Sequence, residues 1–179
     1  MKIKILPLIC LLFLLSTTLI TNQKPTIAYD VITSQTGEKY ETGYIAFDSN
    51  IIENKIFKDI SIGIVITISN TIVKNCQFIN CNDEGIVVYS NNNLFDSCTF
   101  INCNDGIELQ KSSNNIIKNC NFINCYHAGI DGIIQSNNNN QITSCNFKNN
   151  CYAIYFQNSK NNQIKNCVFK NNKKDLVEL

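Results

Sequence analysis

One five-residue motif recurs through most of this chain and sets what it can fold into. Cys-x-Phe-x-Asn begins at Cys76, Cys98, Cys120, Cys145 and Cys167, giving spacings of 22, 22, 25 and 22 residues. A degenerate earlier copy runs Lys55-Ile56-Phe57-Lys58-Asp59. Three residues before each Cys stands an apolar residue: Val73, Phe95, Ile117, Ile142 and Ile164, with Ile52 in the early copy. After the Asn comes a short turn and then Gly-Ile, at Gly63, Gly85, Gly106 and either Gly129 or Gly132; Ala153-Ile154 replaces it in the fifth copy. A fixed period of this size is the signature of a repeat architecture.

Within each repeat, apolar residues alternate over four to six positions, which is strand periodicity. Each segment ends in Asn, Asp, Ser or Gly, residues that tolerate turns and left-handed backbone. No segment can bury its own face, so each must stack on its neighbour. Stacked strands lie about 4.8 Å apart, so every inward position becomes a ladder of like residues. The expected ladders are Phe78, Phe100, Phe122, Phe147 and Phe169, and Cys76, Cys98, Cys120, Cys145 and Cys167, with Asn carried inward at turns. An inward Asn is tolerated because its amide can bond the next Asn and the turn backbone.

The pattern Asn-x-Ile-x-x-Asn-x-Phe-x-Asn-Asn-x-x-Gly-Ile resembles the right-handed parallel β-helix repeat shared by pectate lyases, polygalacturonase-like hydrolases, the periplasmic NosD group and many bacterial and archaeal surface proteins. The resemblance covers Ile51 to about Leu179. It implies an all-β fold: a single right-handed parallel β-helix of about six coils with a ~22-residue repeat. The departure is Cys at both ladder positions usually held by Asn, the second being Cys81, Cys103 and Cys125.

Ahead of the repeats, residues 1–24 read as a signal peptide. Lys2 and Lys4 form a charged start and Ile5 to Leu15 an apolar stretch. Retained as an anchor, Ile5 to Ile20 would give about 24 Å of helix, short of a bilayer core near 30 Å. The expectation is a secreted or cell-surface protein. Residues 25–50 are expected to form an N-terminal strand or cap, and residues 51–179 the β-helix. The chain stops mid-coil at Asp175-Leu176-Val177-Glu178-Leu179 without a cap. The expectations are a piece of a longer solenoid or self-association through the last coil, because an unpaired edge is a template for another chain.

Removing the signal leaves nine Cys, an odd number. Export argues for a disulfide framework. The ladder argues for reduced, inward-stacked thiols, because Cys packs as a small hydrophobe and equivalent side chains point in parallel, which suits the bridge dihedral poorly. The Cys-x4-Cys pairs superficially suggest zinc, but repetition on every coil is what a packing ladder produces.

Composition limits the chemistry. Net charge is +1, so no global field recruits nucleic acid, and none is expected as a partner. All fifteen basic residues are Lys, without Arg, the usual bidentate grip on carboxylates and phosphates. His127 is the only His and Met1 the only Met. The resemblance to pectate lyases would imply Ca²⁺ with an Arg or Lys base; that to polygalacturonases, Asn-Thr-Asp, Asp-Asp, Gly-His-Gly and Arg-Ile-Lys signatures; that to NosD, Met and His for copper. No Arg is present, none of the four signatures occurs, and Met and His are too few.

One constellation stands out. An acidic residue precedes Gly-Ile at Glu84, Asp105 and Asp131. One alignment stacks these three on successive coils and puts the three-residue insertion of the fourth coil in 126–130. The other matches Gly129 with Gly106, stacking Glu108 on Asp131 and Asp105 on His127. Either gathers carboxylates and the His on one edge. There they could share Ca²⁺, act as a pair on a glycoside, or be ordinary turn formers. No cofactor other than Ca²⁺ is expected. Tyr89, Tyr126, Tyr152 and Tyr155 are candidates for stacking on sugars. The function expected is a non-catalytic, adhesin-like module binding polysaccharide or surface glycan. A small lyase or glycoside hydrolase is the alternative.

Overall fold

The computed structural model describes residues 30–33, 39–46, 51–134 and 137–178. The signal or anchor segment and Cys10 lie outside the described residues. Strands β1 (Asp30–Thr33) and β2 (Lys39–Ala46) come first. Six coils of three strands follow. They are β3 (Ile51–Glu53), β4 (Ile56–Lys58) and β5 (Ile62–Ile66), then β6 (Ile72–Lys74), β7 (Gln77–Ile79) and β8 (Glu84–Val88). The third coil is β9 (Leu94–Asp96), β10 (Thr99–Ile101) and β11 (Asp105–Gln110); the fourth is β12 (Ile116–Lys118), β13 (Asn121–Ile123) and β14 (Ala128–Ile134). The last two are β15 (Gln141–Thr143), β16 (Asn146–Lys148) and β17 (Tyr152–Phe156), then β18 (Gln163–Lys165), β19 (Val168–Lys170) and β20 (Lys174–Glu178).

Equivalent strands of successive coils pair in parallel and make three sheets. Sheet one runs β1-β2-β5-β8-β11-β14-β17-β20; sheet two holds β3 to β18 and sheet three β4 to β19, each with six strands. Strand β2 pairs in parallel with β5, and β1 lies antiparallel to β2 at the sheet edge. The all-β parallel solenoid expected from the repeat is the observed fold.

The corners show why the sequence winds this way. At each corner one residue takes left-handed backbone and the next points inward. Asn75, Ser97, Asn119, Ser144 and Asn166, all with φ between 52° and 55°, precede the five motif cysteines. Asn80, Asn102, Asn124, Asn149 and Asn171 serve the second corner, and Asn70, Asn92, Asn114, Asn139 and Asn161 the third. Asn is the non-glycine residue that reaches this region most cheaply. The Asn of the motif is therefore the left-handed residue, half-buried or exposed; the inward residue is the one after it. Inward amides come instead from Asn93, Asn115 and Asn140, all buried. The Oδ1 of Asn115 accepts from the Asn93 backbone N–H at 2.9 Å and from its Nδ2 at 3.0 Å. Asn140 repeats this toward Asn115, at 2.9 and 3.1 Å. Each buried amide thus meets partners one coil away, as buried polar groups must.

The core follows the ladders. Phe57, Phe78, Phe100, Phe122, Phe147 and Phe169 stack in register, with centroids 4.8–5.3 Å apart and planes within 9°. The four from Phe78 to Phe147 are fully buried, and Phe169 in the last coil is half-buried. Glycines in sheet one make room for the rings. A Cβ on Gly106 would lie 2.6 Å from the Phe122 ring and 2.5 Å from the Gly129 carbonyl oxygen.

The nine described cysteines are free, and seven are buried. Each motif thiol donates to the carbonyl two residues back, from Cys120 to Lys118 at 3.2 Å and from Cys98 to Asp96 at 3.5 Å. Burial pushes the thiols of Cys125 and Cys167 up, so they stay protonated. On the second ladder Asn150 takes the place after Cys125. Its Oδ1 accepts from the Cys125 N–H at 2.8 Å and its Nδ2 donates to the Phe122 carbonyl at 3.1 Å. A site filled by Cys in three coils and Asn in the next is filled for packing.

Candidate functional site

The outward columns of sheet one break the repeat. One reads Ile45, Val65, Val87, Glu108, Asp131, Tyr155 and Val177 in register. Beside it Glu84 pairs with Asp105, Asp105 with Ala128 and Ala128 with Tyr152. In the first coils this face is apolar, with Ile62, Val65 and Val87 buried against Ile45 and Tyr89. Glu84 in the second coil is the first carboxylate, and from the third coil onward the face is acidic and aromatic.

The observed register is the one that matches Gly129 with Gly106. The three-carboxylate stack of Glu84, Asp105 and Asp131 is thereby corrected, because Asp131 pairs with Glu108 instead. The insertion is also not confined to 126–130. The register shifts between Glu108 and Gln110, so part of it is a bulge in β14 beyond Asp131. A bulge re-aims neighbouring side chains, and this one lies on the strand that carries Asp131.

Three side chains converge here. His127 Nδ1 lies 2.8 Å from Asp105 Oδ1 and 3.4 Å from Asp131 Oδ2. The side chains of Asp105 and Asp131 are 2% and 4% exposed and that of His127 36%, so the carboxylates are sunk beneath the ring. Asp105 is held by its surroundings: Oδ1 also accepts from the Ala128 backbone N–H at 2.8 Å, and Oδ2 from Asn104 Nδ2 at 3.0 Å. The imidazole is held by aromatics, with Tyr152 edge-on at 5.6 Å and Tyr155 at 6.1 Å. The two tyrosines meet edge-to-face at 5.2 Å, and Lys174 Nζ stands 5.9 Å from the Tyr152 ring centre.

Of the predicted site residues, Asp105, His127 and Asp131 come together. Glu84 and Glu108 are buried in the same columns one coil earlier and outside the cluster. Tyr152 and Tyr155 join the cluster, Tyr126 is exposed nearby, and Tyr89 belongs to the apolar end of the face. Sequence reasoning missed Asn104 and Lys174. The preceding position in the same turn was the available signal for Asn104. Lys174 follows only from the register of β17 with β20.

Comparison with protein families adds one result. The family described as right handed beta helix region matches residues 40–179, and the chain belongs to it. Comparisons with curated proteins and with solved structures give no match.

Proposed function

We propose that this protein is an exported, non-catalytic β-helix that works at the cell surface as an adhesin-like module and binds carbohydrate through the fourth- and fifth-coil face of sheet one. The observation that carries this reading is the grouping of Tyr152 and Tyr155, half-exposed and 5.2 Å apart, with the Asp105–His127–Asp131 cluster. Sugar rings present apolar faces to aromatic surfaces and hydroxyls to carboxylates, and an amphipathic Tyr serves at such a wet boundary. A few oriented polar groups beside aromatic surface are what a specific ligand site needs.

The same geometry argues for binding rather than cleavage. Glycoside hydrolysis by two carboxylates needs them about 5–9.5 Å apart with the sugar between them. Here the liganding atoms of Asp105, His127 and Asp131 all lie within 4.8 Å of one another, and the imidazole nitrogen lies within 3.4 Å of both carboxylates. A polysaccharide array with the purified protein tests the reading, with reducing-end release measured on every glycan retained. Retention without release is expected. Release that disappears in Asp105→Asn would establish the hydrolase or lyase alternative. A second copy is the other proposed partner. Among the described residues β18, β19 and β20 form one edge of all three sheets, with Val168 and Leu176 exposed. Light scattering that grows with concentration is the expected sign.

A further inference from the structure

We propose that Asp105 Oδ1, His127 Nδ1 and Asp131 Oδ2 form a binding site for a divalent cation of borderline softness, of the Zn²⁺ class, and that Ca²⁺ is not its natural occupant. The proposal stands apart from the carbohydrate reading and needs no glycan. Its basis is convergence on one nitrogen. A single Nδ1 proton can satisfy one acceptor well, and Asp105 Oδ1 at 2.8 Å is in that place. Asp131 Oδ2 also faces the same nitrogen, at 3.4 Å. A metal in place of the proton engages all three atoms at once. Ligands about 2.0–2.2 Å from Zn²⁺ stand roughly 2.9–3.4 Å from each other at octahedral to tetrahedral angles. The separations from His127 Nδ1 to Asp105 Oδ1 and to Asp131 Oδ2 fall at or beside that range, and the three ligand atoms all lie within 4.8 Å of one another, so that a small turn of the Asp131 carboxylate closes the set.

The surroundings are those of a held ligand set. Ala128 N–H and Asn104 Nδ2 fix the Asp105 carboxylate, and Tyr152 and Tyr155 fix the imidazole plane. Such outer contacts orient metal ligands and set their affinity. Both carboxylates are nearly fully buried. The donor set decides the class of ion. Ca²⁺ takes six to eight oxygens in a roomy shell, whereas two carboxylates and an imidazole with one side open suit Zn²⁺ and its first-row neighbours.

His127 is the only His in the chain, so ¹⁵N-histidine labelling gives one pair of ring signals and reads the site directly. On adding Zn²⁺ to the full chain, the Nδ1 signal is expected to move and sharpen while Nε2 shifts little. At about one hundred times the dissociation constant the melting midpoint should rise by roughly 5–10 °C. Co²⁺ should give visible d–d absorption, measured at low temperature where the variants stay folded. Both responses should vanish in His127→Gln and in Asp131→Asn, and Ca²⁺ at the same concentration should do nothing. The proposal is overturned by an unmoved Nδ1 signal, by Zn²⁺ responses that persist in both variants and so belong to thiols, or by Ca²⁺ acting as strongly as Zn²⁺.

Discussion

The interior and the outer face of sheet one use the same strands in opposite ways. Inside, Ile64, Ile86, Ile107, Ile130 and Ile154 keep one residue type through five coils, every one fully buried. Outside, on the adjacent position of the same strands, the column passes from Val65 and Val87 to Glu108, Asp131 and Tyr155. Backbone pairing is common to both columns, so it cannot explain the change. What differs is the constraint: an inward position must match its neighbours 4.8 Å above and below, and an outward one need not. Chemistry therefore collects where the repeat is free to vary, and in this protein it does so beside the bulge in β14.

If that contrast is right, breaking an interior ladder costs stability and altering the outer cluster costs little. The largest effect is expected for Phe100→Ala, which removes a ring stacked on both sides at 4.8 Å. It should destabilise by about 3–5 kcal/mol in urea unfolding, whereas Asp131→Asn should leave the urea midpoint close to the parent's. Next comes Asn115→Ala, which takes the Oδ1 acceptor from the Asn93 N–H and Nδ2. Each buried group left stranded costs about 1–3 kcal/mol, and the same unfolding curves measure it.

The corners predict a smaller difference. Asn102 sits at φ 54°, where an ordinary side chain costs roughly 1–2 kcal/mol. Asn102→Ala should therefore be less stable than Asn102→Gly, although both lose the amide contacts to Asn80 and Asn124. Equal stability of the two variants would remove the backbone argument. The smallest effect concerns pH. Partial burial of Asp96 opposes its ionisation, but hydrogen bonds from Asn119, Ser97 and Lys118 outweigh it and hold the carboxyl below its usual range. A depressed folded value means the stabilisation is present above the unfolded carboxylate value of about 3.9 and disappears as pH falls through the folded one. Asp96→Asn should accordingly melt below the parent at pH 6, and the gap should close as pH drops under 4.

Much of the fold was legible because each coil repeats its neighbour. Phe, Cys and Ile positions could be aligned by counting, and the Phe column runs as that alignment implies. The inward Asn expected at turns is present as Asn93, Asn115 and Asn140, but which Asn of a pair such as Asn92-Asn93 or Asn114-Asn115 takes the left-handed backbone and which points inward is not legible from composition. The candidate site was legible only as a set of residues. Which carboxylate faces which depends on where the extra residues of the fourth coil are absorbed, and the sequence permits two registers. The structure chooses the one in which β11 and β14 keep Ile107 against Ile130. That choice keeps the inner ladder intact and brings His127 to Asp105.

The central claim is that the cluster beside the β14 bulge is the working surface of the protein. Parallel retention of the parent, Tyr155→Ala and Asp131→Asn on a polysaccharide array tests it most directly, with circular dichroism confirming that each remains folded. The account predicts that the parent is retained on at least one glycan class and that both variants lose most of that retention while keeping the parent's spectrum. Retention unchanged in both variants, or no retention by the parent on any glycan, would contradict it.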